Sequence, residues 1–247
     1  MSGNGLDPVT LFGASNMRFL GDTRVTSSML DASDAQVTDG TLAKTWRDLS
    51  GRGNHFTNST TDQQPKYFAN AIGKPSLQFF WNGVFTFLSN ADSTEWDYTN
   101  LSVYIVVDQI TSTGTQSPYG KYLTTGNQRE FDIRIVSAQA VVNSSSDGTS
   151  GFSSATATTT VSTATKYVIS FTYDGTTKTV QVNNDVAHAG TDVASIAKKT
   201  GAPQFGAISG AVNPFQGHIC YAVIANSLLN ATNKAAFITS LMSDWGA

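Results

Sequence analysis

The sequence predicts an all-β fold, a sandwich or a barrel, with one short helix near the C-terminus. Three observations carry this. Runs of strand length rich in β-branched and aromatic residues recur along the chain, turn residues separate them, and helical spacing appears only at the end. The 247 residues suit one large all-β domain or two small ones.

Taken in order, Leu6–Val25 holds apolar residues without clean periodicity. Residues 1–28 are therefore read as an N-terminal arm or an extra strand, ahead of a domain over 29–247. Leu101–Ile110 is a β-branched and aromatic run of strand length. In Phe131–Val136 the alternation places Phe131, Ile133 and Ile135 on one face and Asp132 and Arg134 on the other, so one face is buried and one wet. Asn143–Thr165 is mostly Ser, Thr, Ala and Gly, a loop or a thin edge strand. Lys166–Tyr173 and Lys178–Val182 flank Asp174-Gly175, a hairpin signal, since both residue types tolerate positive φ. Asn183-Asn184-Asp185 offers a second turn, and His218–Ala225 reads as a late central strand. At the end, Asn230 caps a helix whose Phe237, Leu241 and Trp245 share one face with Ile238 beside them, and Gly246 stops it.

Several local patterns follow one another in a recognisable order. Leu30-Asp31-Ala32-Ser33-Asp34 precedes Trp46-Arg47-Asp48-Leu49-Ser50-Gly51-Arg52-Gly53-Asn54-His55; then come Gln64-Pro65-Lys66-Tyr67, Pro75–Phe79 and the turn Trp81-Asn82-Gly83. Late in the chain stand Tyr173-Asp174-Gly175, Gln216-Gly217-His218-Ile219 and the terminal Trp245-Gly246. This order resembles concanavalin A-like, laminin G-like domains of phage virion proteins and bacterial surface proteins. The resemblance covers roughly 29–247 and implies a two-sheet antiparallel jelly-roll sandwich with one short C-terminal helix. The second hairpin turn, Asn183-Asn184, departs from the Asn-Gly of the family. The fold serves many roles, so function has to be argued from sites.

Composition narrows the classes. Charged residues make up 13% and the net charge is −3, with no basic run, so the sequence carries no electrostatic footprint for nucleic acid. No stretch is long and apolar enough for a membrane-spanning helix. Residues 1–10 show no basic region followed by an apolar one. The lone Cys220 lies in an apolar run and reads as a buried small residue.

Candidate chemistry is sparse. Laminarinase-type β-glucanases share the broad fold and carry Glu-x-Asp-x-x-Glu; here Glu95-Trp96-Asp97-Tyr98-Thr99-Asn100 has an amide where the second carboxyl belongs. An amide cannot act as the proton donor that retaining hydrolysis requires. His55, His188 and His218 sit at no zinc-ligand spacing, no nucleophile elbow occurs, and Gly51-Arg52-Gly53-Asn54 reads as a turn. No cofactor or metal is expected; domains of the resembled kind often hold a calcium ion at a loop rim, for which Asp31, Asp34 and Asp48 would be the candidates, but Asp is a standard turn residue and the turn reading is preferred. For a glycan, the aromatics near predicted loops are Trp81, Trp96, Tyr98 and Tyr119, with Asn82, Asn100, Gln116 and Asn127 as amide partners. Trp46 and Trp245 read as core.

The reading that follows is of a chain that is no enzyme, a virion structural protein acting through surface binding as a capsid decoration or fibre-type component. Its partners would be other virion proteins or its own copies, and its place the virion, assembled in the host cytoplasm. The alternative is a lectin-like adhesin on an extracellular surface that binds cell-surface glycans. A glycan hydrolase or lyase ranks third.

Overall fold

The structure, a computed structural model, describes residues 6–111, 114–123, 125–149, 152–190, 196–208 and 213–247. In chain order the elements are α1 (Pro8–Phe12), β1 (Met17–Asp22), β2 (Met29–Leu30), β3 (Thr45–Trp46), β4 (Phe56–Thr57), β5 (Lys66–Phe68), β6 (Ser76–Phe79) and β7 (Leu88–Ser89). The long strands follow: β8 (Leu101–Gln109), β9 (Thr115–Leu123), β10 (Gln128–Val136), β11 (Gln139–Ser145), β12 (Phe152–Thr160) and β13 (Lys166–Tyr173). β14 (Lys178–Val182), β15 (His188–Gly190), β16 (Pro203–Phe205), β17 (Gly217–Ala225) and α2 (Ala231–Trp245) complete the chain.

Two antiparallel sheets pack as a jelly-roll sandwich. The first has the order β15-β14-β13-β8-β17-β6-β5, the second β12-β11-β10-β9-β16-β7-β4-β3-β2. In the first sheet β6 pairs with residues 217–219 of β17 and β1 with residues 221–225, so two short strands share one edge of a long one. Residues 17–22 of the N-terminal segment thus lie within the sheet, and Phe12, Met17, Phe19 and Leu20 are buried. α1 was not legible as a helix; the Asp7 carboxylate accepts the Val9 and Thr10 amides, and Pro8 opens it, so a five-residue turn forms without periodicity to announce it.

Between the sheets, Val103, Ile105 and Val107 of β8 and Ile219, Ala222 and Ile224 of β17 share one core with Phe131, Ile133 and Ile135 of β10. Its centre is aromatic: Phe56 and Phe205 lie 4.7 Å apart, Phe19 and Phe56 4.8 Å, and Tyr119 and Phe205 4.7 Å. A second core covers the other side of the first sheet. There Tyr104 and Val106 of β8 and Tyr221 and Val223 of β17 meet Phe237, Ile238, Leu241 and Trp245 of α2. This is why β8 reads as an unbroken apolar run: both of its faces are buried. α2 begins where the Asn230 side chain accepts the Asn233 amide and ends at Gly246, φ 69°.

The hairpin at Asp174 departs in detail from expectation. It is a four-residue turn in which the Asp174 carboxylate accepts the Thr176 and Thr177 amides, and only Gly175 takes positive φ. The Ser/Thr-rich stretch contains the edge strand β12, with Ala155 and Ala157 turned inward and Thr156 and Thr158 exposed. That edge is tied to the first sheet. The buried Lys178 donates to Ser144 Oγ at 2.9 Å and to the Ser153 carbonyl, and Thr158 Oγ1 meets His188 Nε2 at 3.1 Å.

Candidate functional site

Both helices lie on the first sheet, while the outer face of the second carries a polar row that runs from strand to strand. Strand alternation builds it. Asp132 sits between the inward Phe131 and Ile133, so its side chain points out, and the pairing register sets it beside Asn143 and Gly120. Ser154 continues the row beyond Asn143. In the other direction Gly120 pairs with Gln204, Gln204 with Ser89 and Ser89 with Thr57.

Asp132 is fully buried on this face. Its carboxylate accepts from Arg134 Nε and from Asn143 Nδ2 at 3.2 Å, and Ser154 Oγ donates to Asn143 Oδ1 at 2.8 Å. Burial pushes the carboxyl up, against the pull of the Arg134 guanidinium. Arg134 in turn lies 5.4 Å from the Tyr122 ring. A methyl at Gly120 would come 2.8 Å from Asp132 Cβ, so glycine leaves the space that Asp132 fills. On the far side of Gly120, Gln204 Oε1 is buried with no hydrogen-bond partner among the described residues.

The row abuts an aromatic hairpin. Leu88 is in the core, so its neighbours Phe87 and Ser89 turn outward together. Phe87 packs near-parallel on Phe85 at 5.5 Å and 21°, and Phe85 on Trp81 at 6.4 Å and 14°. Trp81 is 49% exposed. At the tip the Asn82 side-chain Oδ1 accepts the Val84 amide and Gly83 takes φ +95°, while Thr86 Oγ1 accepts the Phe80 amide at 2.9 Å and locks the stem. The arrangement offers the exposed Trp81 ring and the half-buried Phe85 and Phe87 beside the hydroxyls of Ser89 and Thr57, while Asp132 and Gln204 lie beneath the surface.

The predicted residues separate into two groups. Trp81 and Asn82 stand together at this hairpin. Trp96, Tyr98 and Tyr119 are corrected: their exposures are 0%, 3% and 0%, and rings enclosed in the inter-sheet core present no face to a ligand. Trp96 Nε1 donates to Asn90 at 3.0 Å, which lets the indole sink inward. Of the amides, Gln116 is buried and Asn127 is exposed with φ 58°. Phe85, Phe87 and the Asp132–Gln204 row escaped the sequence reading. The signal for the rings was present, since Phe79–Phe87 places aromatic residues on both sides of an Asn-Gly turn, more than one buried face can absorb.

Asp31, Asp34 and Asp48 do not form a calcium cage. Asp31 accepts the Ser33 and Ala35 amides, Asp34 pairs with Lys44 at 2.8 Å, and Asp48 accepts the Leu20, Ser50 and Asn54 amides. Each carboxylate shapes its own turn, and among the described residues no three His, Cys, Asp or Glu side chains converge for a metal. Glu95 is on a three-residue turn rather than a strand; Asn54 and Arg52 hold its carboxyl below the usual range.

Two clusters of buried polar side chains lie away from this face. Lys121 is fully buried, with Nζ 2.7 Å from Glu130 and 2.8 Å from Asp92; burial pushes Glu130 up to about 8 against that ammonium. His218 Nδ1 lies 2.9 Å from Ser76 Oγ, and burial lowers the imidazole to about 4. Both Ser76 and His218 are enclosed, 0% and 5% exposed, so the pair fixes β6 to β17 rather than presenting a nucleophile.

No family model matches the sequence and no curated protein matches it. Solved structures resemble it in fold. The binding domain of Paraclostridial Mosquitocidal Protein 1 superposes with a TM-score of 0.64 at 10% identity, over 93% of this chain and 53% of that one. Botulinum neurotoxin type C, which enters cells dependent upon interaction with two ganglioside molecules, gives 0.63 at 9% identity over 95% and 53%. A GH54 α-L-arabinofuranosidase gives 0.65 at 13% identity over 96% and 65%. The chain therefore spans about half the length of the two toxin chains and under two thirds of the hydrolase chain. The hydrolase match corrects the expectation that the chain is no enzyme, since a sandwich of this architecture is part of a glycosidase chain.

Proposed function

We propose that this chain is a carbohydrate-binding β-sandwich that attaches to cell-surface glycans through the open face of its second sheet, with Trp81 as the anchor. The observation that carries the reading is the exposed Trp81, near-parallel to Phe85, on the hairpin that leads into Ser89, which pairs with the exposed Thr57. A pyranose has an apolar C–H face and a hydroxyl rim, and binding sites for such molecules combine aromatic walls with a few placed polar groups. Fold likeness to a toxin chain whose entry into cells depends on gangliosides supports the same reading.

The finer assignment, a virion component of a phage that uses this face for attachment, draws its support from the motif order between Leu30 and His55 and at the C-terminus.

A glycan array followed by calorimetry on the bound class tests the proposal. Trp81→Ala is expected to weaken binding at least about tenfold, a loss of about 1.4 kcal/mol, with the melting temperature unchanged. No glycan bound at about 1 mM, or full affinity in Trp81→Ala, refutes it.

A further inference from the structure

We propose that Lys121 and Asp92 are the two halves of a self-formed isopeptide cross-link, with Glu130 as the proton relay. This modification is independent of the glycan reading. Lys121 shares the inward face of β9 with Tyr119, two positions earlier, and pairs with Phe131 of β10. The inter-sheet core therefore encloses it, and its side chain is 0% exposed. Its Nζ faces three carboxylates. It lies 2.7 Å from Glu130 Oε1, 2.8 Å from Asp92 Oδ1 and 3.5 Å from Asp97 Oδ1, with the Trp96 carbonyl at 3.4 Å.

A structural ion pair needs one carboxylate for the ammonium, and the buried Glu130 alone supplies it. Two details go further. Asp92 Oδ1 is buried and makes no hydrogen bond among the described residues, although Nζ stands 2.8 Å away, so the two groups touch without hydrogen-bond angles. Glu130 engages Lys121 and the Lys199 amide through Oε1 and leaves Oε2 buried without a partner among the described residues. Burial also pushes this carboxyl up to about 8, so it holds and returns a proton near neutral pH.

The step balances without a cofactor. Nζ passes a proton by way of Glu130 to the Asp92 carboxylate, which makes the amine a nucleophile and the carboxyl neutral. The nitrogen lone pair attacks Asp92 Cγ, a C–N bond forms and one C–O bond breaks. A second proton from the nitrogen, carried by Glu130, leaves with that oxygen as water. One ammonium and one carboxylate become one amide. Enclosure favours this, because it holds the reactants together and because two charges vanish from a buried place. The link ties the loop after β7 to β9.

Intact mass spectrometry of the full chain in denaturant tests this. The chain, with or without Met1, is expected to weigh one water less than its sequence, and a protease digest to yield a branched peptide that joins residue 92 to Lys121. Lys121→Arg and Asp92→Ala are expected to carry their full masses, and Asp97→Ala to lose the water as the unaltered chain does. Glu130→Gln, which keeps the shape and removes the acid, is expected to retain the water in most molecules. Circular dichroism confirms that the variants are folded; if Glu130→Gln unfolds, the mass of the unaltered chain and that of Asp92→Ala still decide. A full mass in the unaltered chain overturns the proposal. So does a missing water located elsewhere, as ring closure at Asp147-Gly148 or Asp174-Gly175 would leave. Cross-linking as complete in a folded Glu130→Gln as in the unaltered chain overturns the relay.

Discussion

The two outer faces of this sandwich obey different rules. On the first sheet, Tyr104, Val106, Tyr221 and Val223 turn apolar side chains outward, and α2 buries them. On the second, Ser154, Asn143, Asp132, Gln204 and Thr57 turn polar groups outward, with no α-helix above them among the described residues. Both sheets share the same inner core, so the difference lies entirely in what the alternate residues are asked to meet. A covered face can be apolar throughout; an open one needs hydrogen-bonding groups that water or a ligand can satisfy.

The harshest way to break this contrast is to remove the cover. Phe237→Ala on α2 is expected to destabilise by about 3–5 kcal/mol through the cavity it leaves, read by urea denaturation, with glycan affinity unchanged. A loss below about 1 kcal/mol would show that the helix is an ornament rather than half of a core.

Acid probes the covered sheet in a second way. His218 is lowered to about 4 from an ordinary 6.5, so the folded state prefers it neutral. Its contribution is complete above pH 6.5 and is lost as pH falls toward 4, because the unfolded chain binds the proton first. The loss amounts to about 3 kcal/mol at most. His218→Gln should flatten the stability profile across that window; an unaltered slope would assign the acid sensitivity elsewhere.

Opposite swaps then sharpen the comparison. Val106→Thr places a hydroxyl under α2 and should cost about 1–3 kcal/mol. Thr57→Val on the open face should change stability by no more than about 0.5 kcal/mol. Equal effects would mean that the two faces are equally enclosed. The smallest expected effect on stability is that of Gln204→Met, which removes an acceptor without a partner and should be close to neutral.

Much of this contrast was legible before any coordinates. The apolar run Val103–Val107 and the alternation in Phe131–Val136 already distinguish a strand covered on both faces from one covered on one. The helix face of Phe237, Leu241 and Trp245 names the cover. The site was legible only at Trp81 and Asn82, because an Asn-Gly turn exposes what flanks it. Trp96, Tyr98 and Tyr119 misled, since a ring near a loop in sequence can still point inward: Tyr119 shares a face with Phe131 and Phe205 that only register reveals. The polar row was hidden for the same reason, as Asp132 and Gln204 lie 72 positions apart and meet across Gly120.

Lys178 also has a consequence for how copies of this chain meet. β12 is long, free of charge and proline, and rich in Thr and Ala, the composition of an edge on which foreign strands stack into fibrils. Lys178 occupies the Ser153 carbonyl and His188 meets the Thr158 hydroxyl, so part of that margin is already engaged from within the molecule and is withheld from a foreign strand.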